Sequence, residues 1–79
     1  MATVAAYIFV SVEPGRNAAV VAALRKLPGL KQAHICWGVP DIFAFVEVGD
    51  EKALSELVLN RIQSISGIRG TETHIVVPD

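Results

Sequence analysis

The stretch from Thr3 to Val12 constrains the fold of this chain more than any other segment. It is rich in β-branched and aromatic residues, and the turn-forming sequence Glu13-Pro14-Gly15 ends it. Successive side chains of a strand point to opposite faces, and here both faces are largely apolar. The first face carries Ala6, Ile8, Val10 and Val12, and the second carries Ala5, Tyr7, Phe9 and Ser11. This pattern is typical of a central strand in a sheet that is covered on both sides.

The segment that follows predicts a helix and then a strand. From Arg16 to Leu27 the apolar residues recur at helical spacing, and Pro28-Gly29 ends the helix. Leu30 to Trp37 predicts a second strand, which is more polar than the first and is therefore expected at an edge of the sheet. Gly38-Val39-Pro40-Asp41 predicts the turn that ends it.

The second half of the chain predicts a strand, a helix and a final strand. Ile42 to Val48 is again apolar on both faces. Asp50 is suited to cap a helix from Glu51 to about Ser64, and Thr71 to Val77 predicts the last strand. The apolar stripe of this helix consists of Leu54, Leu57, Val58 and Ile62.

The order of these elements, β-α-β-β-α-β, predicts one α+β, ferredoxin-like domain over residues 1–79. Right-handed crossovers place both helices on one face of a four-stranded antiparallel sheet. The other face is left uncovered, and depending on register it carries aromatic residues from Tyr7, Phe9, Phe43 and Phe45. A second copy packed sheet to sheet, as in a dimeric α/β-barrel, would cover this face. The composition agrees, because 52% of the residues are hydrophobic and only 19% are charged.

The composition also excludes several classes of protein. With 7 basic and 8 acidic residues, direct nucleic-acid binding is not expected. A single cysteine cannot close an intrachain disulfide, which excludes a small disulfide-rich secreted scaffold. No apolar run is long enough to span a membrane, and the apolar N-terminal stretch lacks the basic region of a signal peptide. We therefore expect a cytoplasmic protein that does not associate with membranes.

Few side chains are suited to catalysis. His34 and His74 lie on different strands, with no cysteine or carboxylate at metal-ligand spacing, so we expect neither a metal nor a cofactor. A single histidine could still act as an acid or base in a paired sheet. Cys36 is expected to be a buried strand cysteine, because free cysteine packs as a small hydrophobe. No serine lies in a nucleophile motif, and no catalytic residue is assigned.

Two segments at strand ends are better candidates for binding. Asp41 lies at the mouth of a tight hairpin and could hold a ligand ammonium group, although aspartate commonly caps such a turn. Thr71 and Thr73 lie on one face of the last strand and could receive a carboxylate, although threonine is also a good strand residue. Trp37, beside Gly38, could stack on a ligand or cap a core. The residues alone leave these alternatives open.

The same segments carry a resemblance to a known family. A Tyr-containing first strand is followed by Glu-Pro-Gly, then by Gly-x-x-Asp and then by Gly-Ile-x-x-Thr-x-Thr. This order of motifs is similar to that of the C-terminal ligand-binding (RAM) domain of the Lrp/AsnC family. The resemblance implies dimers that pack sheet to sheet and assemble into tetramers, octamers or similar rings. It also implies an amino-acid effector bound between dimers.

By position, the resemblance implies which residues meet the effector. Gly38 and Asp41 match the Gly-x-x-Asp loop, which in the family contacts the amino group of the effector. Thr71 and Thr73 match the Thr-x-Thr segment near the same pocket. Trp37 replaces the small polar residue that is more usual in the family, and we include it as a ligand contact. We add His34 as a candidate wall residue on which the resemblance says nothing.

Full-length members of that family carry an N-terminal helix-turn-helix that reads DNA. Here the first strand begins within a few residues of Met1, so we expect a stand-alone ligand-binding domain that is not an enzyme. It would modulate transcriptional regulators or amino-acid metabolism through its assembly, with full-length Lrp/AsnC relatives as candidate partners. One alternative is a small dimeric α/β-barrel enzyme, of the monooxygenase or isomerase type, which requires His34 or His74 turned inward. The other is an assembly module without a ligand.

Overall fold

The computed structural model describes residues 3–78, and these residues form the predicted order of elements. The four strands are β1 (Val4–Val12), β2 (Leu30–Ile35), β3 (Ile42–Val48) and β4 (Ile68–Ile75). The helices are α1 (Asn17–Arg25) and α2 (Glu51–Glu56), and α2 continues into a π-helical segment, Leu57–Ile62.

The strands form one antiparallel sheet in the order β2-β3-β1-β4. The apolar β1 is central, with β3 on one side and β4 on the other, and the more polar β2 is an edge strand, as predicted. The ferredoxin-like βαββαβ fold expected from the sequence is thereby confirmed.

The core lies between the sheet and the two helices. One face of β1 is buried against them, and so is the whole predicted stripe of the second helix. In α1, Val20, Val21 and Leu24 are buried and Ala23 is partly buried, and Leu27 just beyond the helix is also partly buried. Each apolar side chain that is fully buried contributes about 1.5–3 kcal/mol of transfer free energy, so this one interface dominates the stability of the domain.

The opposite face of the sheet carries aromatic side chains that no helix covers. Tyr7 pairs with Phe45 and Phe9 with Phe43, and the ring centroids are 4.9 and 4.5 Å apart. Tyr7 remains 49% exposed and Phe43 39% exposed. All four aromatic residues considered in the sequence therefore share the uncovered face, which we call the open face.

Several elements differ in their bounds or geometry from the sequence-based expectation, and β4 ends at Ile75 rather than Val77. β4 begins at Ile68 rather than Thr71, because Ile68 and Gly70 pair with the end of β1 across a bulge. β2 ends at Ile35 rather than Trp37. The second helix changes from α to π geometry at Leu57, and the amide of Gln63 donates to the carbonyl of Val58, five residues earlier. A helical apolar spacing does not distinguish these two helix types over so few residues.

The N-cap at Asp50 provides a direct test of the fold description. Its carboxylate accepts a hydrogen bond from the amide of Ala53 at 2.8 Å. Replacement by alanine leaves that amide without its acceptor, and we expect Asp50→Ala to lower the free energy of unfolding by about 1 kcal/mol. Asp50→Asn is the control, because asparagine caps a helix about as well. Urea denaturation of the two variants measures the difference, and equal losses would contradict this role of Asp50.

Candidate functional site

An open groove of about 700 Å³ lies at one end of the sheet, where β1 and β4 meet the hairpin between β2 and β3. Its lining combines one carboxylate, one guanidinium, one amide and one hydroxyl with apolar side chains and backbone. The residues are Ser11, Val12, Pro14, Asn17, Val39, Asp41, Arg69 and Gly70. This groove brings together residues from four segments of the chain, and it contains the predicted Asp41.

Asp41 is held in place by backbone hydrogen bonds on both sides. Its amide donates to the carbonyl of Val10 at 3.1 Å, and its carbonyl accepts from the amide of Cys36 at 2.7 Å. Its Oδ2 accepts from the amide of Val12 at 3.0 Å. The carboxylate therefore satisfies an orphan strand amide, as in the capping interpretation, while Oδ1 has no hydrogen-bond partner among residues 3–78.

Arg69 lines the same groove and lies at the bulge between β1 and β4. Ile68 pairs with Val12 and Gly70 with Ser11, so Arg69 is the extra residue that no β1 residue opposes. Within the described chain, Arg69 and Asp41 form no ion pair, since the one such contact found there joins His74 to Glu72. The groove thus presents a separate positive and a separate negative group.

The two predicted threonines face the helices rather than a shared pocket. Thr71 and Thr73 pair with Val10 and Ile8 of β1, whose side chains point into the core. The hydroxyl oxygen of Thr71 accepts a hydrogen bond from Nε2 of Gln63 at 2.9 Å. Thr71 borders a depression next to the Asp41 groove, whereas Thr73 lines a different groove beside α2.

The remaining predicted residues lie outside the groove in a single chain. Trp37 is fully exposed on the hairpin. Gly38 has φ +114°, a backbone conformation that side chains other than glycine rarely adopt, so its role within one chain is to shape the loop. His34 lies on the open face, opposite Phe43. One chain therefore brings together Asp41 and, at its border, Thr71, but not Thr73, Trp37 or His34.

Sequence reasoning missed two residues of this groove and misjudged a third nearby. No motif points to Arg69 as a site residue, and only the bulge and the groove lining bring it together with Asp41. Asn17 was treated simply as part of a helix, although it begins α1 at the groove. Cys36 is not a buried strand cysteine: it follows the end of β2 and is partly exposed, because the strand stops at Ile35.

The histidines do not lie where the enzyme alternative requires them. His74 faces the open side with its ring 4.8 Å from that of Phe9, and His34 shares that face. Neither points between the sheet and the helices. Among residues 3–78 no three histidine, cysteine or acidic side chains come close enough to hold a metal ion. The helices of the same residues include none that is long and apolar enough to cross a membrane.

A profile of the Lrp/AsnC ligand binding domain matches residues 5–78, almost the whole chain. The chain belongs to the Lrp/AsnC family. The resemblance inferred from the short motifs is confirmed by this match.

Relatives and solved structures of the Lrp/AsnC family support the same assignment. The chain is 38% identical over 73 residues to an uncharacterised HTH-type transcriptional regulator of Pyrococcus abyssi. The matched region covers 92% of this chain and 46% of that regulator. The chain thus spans about half the length of this curated relative. The structure of Escherichia coli AsnC superposes on 96% of the chain and 52% of its own, with a TM-score of 0.89 and 28% identity.

A third comparison concerns a transcriptional regulator of Neisseria meningitidis, whose structure is a complex with L-Met. It superposes on 96% of this chain and 51% of its own, with a TM-score of 0.83 and 24% identity. At this identity the similarity shows the fold alone.

The hydrogen bond from Val12 to Asp41 gives a stability prediction. Asp41→Ala leaves a strand amide without its acceptor, and we expect a loss of about 1–3 kcal/mol in the free energy of unfolding. Asp41→Asn keeps an acceptor oxygen at the same place and should lose less than half as much. Urea denaturation followed by circular dichroism measures both, and an unchanged stability of Asp41→Ala would contradict the anchoring role.

Proposed function

We propose that this Lrp/AsnC domain binds a free amino acid in the groove of Asp41 and Arg69, and that neighbouring subunits complete the site. The observation that carries the proposal is the pair of opposite charges held apart on one groove. A free amino acid is a zwitterion whose ammonium and carboxylate groups lie on adjacent atoms. One groove with a separate acceptor and a separate donor matches both groups at once.

We propose a partner in the groove for each charged group of the ligand. Asp41 receives the ammonium group at Oδ1, because Oδ2 already accepts from the amide of Val12. Arg69 binds the carboxylate, for which a guanidinium can offer two parallel N–H donors. Val39 and Pro14 supply apolar contacts for the side chain of the ligand. Charge-assisted hydrogen bonds of this kind are roughly twice as strong as neutral ones.

Assembly is the second part of the proposal. The groove is open on one side in a single chain, and the remaining predicted contacts, Thr73, Trp37, Gly38 and His34, lie outside it. Thr73 and His34 join the same site only if neighbouring subunits supply them. Ligand binding then favours the assembly in which the site is complete, since a ligand shifts an equilibrium toward the state that binds it better.

The family relatives support an amino-acid effector and a role in transcription. The Neisseria meningitidis regulator with this fold is in complex with L-Met, and the Pyrococcus abyssi relative is an HTH-type regulator. We propose that this domain changes transcription or amino-acid metabolism through its assembly. Mixed assembly with full-length regulators, which carry the DNA-reading part, stays a prediction.

Calorimetry with each of the twenty amino acids tests the ligand. We expect at least one to bind, and we expect Asp41→Asn and Arg69→Gln each to weaken that binding at least tenfold, equal to about 1.4 kcal/mol. Asp41→Asn removes the charge but keeps an oxygen for the amide of Val12, so loss of binding is separated from loss of folding.

Matched controls remove a charge of the same sign elsewhere. Asp50 caps α2 and Lys52 lies on it, both outside the groove, so Asp50→Asn and Lys52→Gln should leave the affinity unchanged. If no amino acid binds at millimolar concentration, the ligand proposal is wrong. If the control variants weaken binding as much as the groove variants, the assigned site is wrong.

The open face gives a separate prediction about the dimer. We propose that two copies pair through the faces that carry Tyr7, Phe9, Phe43 and Phe45. Phe43→Lys places a charge in that interface, and we expect it to weaken dimerisation at least tenfold in sedimentation equilibrium. Leu59→Lys, which changes an exposed apolar residue on the helical side, should leave the dimer intact. Equal dimerisation of Phe43→Lys and the unmodified protein would rule out this pairing.

A further inference from the structure

The tip of the hairpin between β2 and β3 exposes large apolar side chains. Trp37 is 102% exposed and Val39 is 92% exposed. Soluble domains seldom present a tryptophan to water without a partner, because its burial removes about 150–250 Å² of mainly apolar surface. Trp37 is therefore the most prominent unburied apolar group among the described residues.

The hairpin that carries Trp37 is anchored to the sheet. The amide of Cys36 donates to the carbonyl of Asp41, and the amide of Asp41 donates to the carbonyl of Val10. The carboxylate of Asp41 adds the bond to the amide of Val12. Because the base of the loop is held by three hydrogen bonds, Trp37 projects from a preorganised support, and docking it costs less conformational entropy.

An apolar groove on the other side of the domain is a suitable receptor for an indole ring. It has a volume of about 300 Å³ and lies between α2, the π-helical segment and β4. Leu54, Val58, Leu59 and Ile75 form its apolar wall, with Leu59 58% exposed and Ile75 49% exposed. An apolar cavity of about 150 Å³ holds benzene, so this groove has room for the larger indole. Glu51 at its border offers a carboxylate to the indole N–H, a donor that seeks a partner when it is buried.

The two features cannot meet within one chain. Trp37 follows β2, which is one edge of the sheet, and the groove lies along β4, which is the other edge. The groove is also next to Thr73 and Ile75, which pair with the first half of β1, near Val4. The hairpin lies at the opposite end of β1, near Val12. A contact between them must join two different subunits.

We infer that Trp37 of one subunit docks into the α2–β4 groove of another copy, and that this contact joins dimers into larger assemblies. The contact is head-to-tail, since different surfaces of the two subunits meet. Such contacts repeat from subunit to subunit and form a ring where the rotation between subunits closes. It uses neither the open face nor the charges of Asp41 and Arg69. The inference extends the proposed assembly beyond the dimer and does not depend on whether an amino acid binds.

The fluorescence of Trp37 tests this contact directly, because it is the single tryptophan of the chain. As the protein is concentrated from dimers to larger species, followed by sedimentation velocity without added amino acid, we expect its emission to shift to shorter wavelength. Acrylamide quenching should fall in parallel. Leu59→Lys should prevent both changes and raise the dissociation constant for dimer association at least tenfold. Ala22→Lys, an exposed substitution on α1, is the matched control and should behave like the unmodified protein.

A complementation experiment separates the docking contact from a general effect of the substitutions. Trp37→Ala has the groove but no tryptophan, and Leu59→Lys has the tryptophan but a blocked groove. Adding Trp37→Ala to Leu59→Lys should shift the tryptophan emission to shorter wavelength. Adding the double variant Trp37→Ala/Leu59→Lys should not. Ser55→Arg, a second exposed position in the groove, replaces Leu59→Lys if the latter loses its circular dichroism spectrum.

Three outcomes would overturn the inference. The first is that no species larger than the dimer forms at any concentration. The second is that larger species form while the tryptophan emission and quenching stay those of an exposed indole. The third is that emission shifts equally in the groove variants and in the unmodified protein. If the fluorescence and sedimentation results are as expected but no amino acid binds in calorimetry, the ligand proposal is wrong and the docking contact of Trp37 is established.

Discussion

The burial of β1 is the interaction on which the rest of the structure depends. Its backbone bonds to β3 on one side and β4 on the other, and one face of its side chains forms the centre of the core. The helices can cover only that face, because both crossovers lie on the same side of the sheet. The other face keeps its aromatic side chains exposed in one chain. The core of the monomer and part of its open aromatic face thus depend on a single apolar strand.

Asp41 connects the fold to the candidate site. One oxygen of its carboxylate accepts from the amide of Val12 at the end of β1, and the residue also lines the groove that contains Arg69. The capping and ligand-binding interpretations of this residue are therefore not exclusive, because a carboxylate has two oxygens and several lone pairs. An aspartate fixed by the backbone is also preorganised, which reduces the entropy that a ligand must overcome on binding.

The architecture could be predicted from the sequence because its signals are local. Two-sided apolar strands, helical apolar spacing and Asp50 before Glu51 together predict the sheet, the core and a cap that the structure contains. The site could be predicted only in part. Arg69 was missed because its position depends on a bulge that pairs β4 with β1, 50 or more residues apart in sequence. Thr71 and Thr73 were correctly placed on one face, but that face turned out to be the one toward the helices.

The sequence by itself determined the order of elements, the central position of β1 and the family, since these depend on the identity and spacing of neighbouring residues. Only the tertiary structure decided that all four sheet aromatics share the open face, that Arg69 and Asp41 line one groove, and that Trp37 and the α2–β4 groove are on opposite edges. The reason is that cross-strand register decides which distant residues become neighbours. A shift of one residue in a strand would move every side chain to the other face.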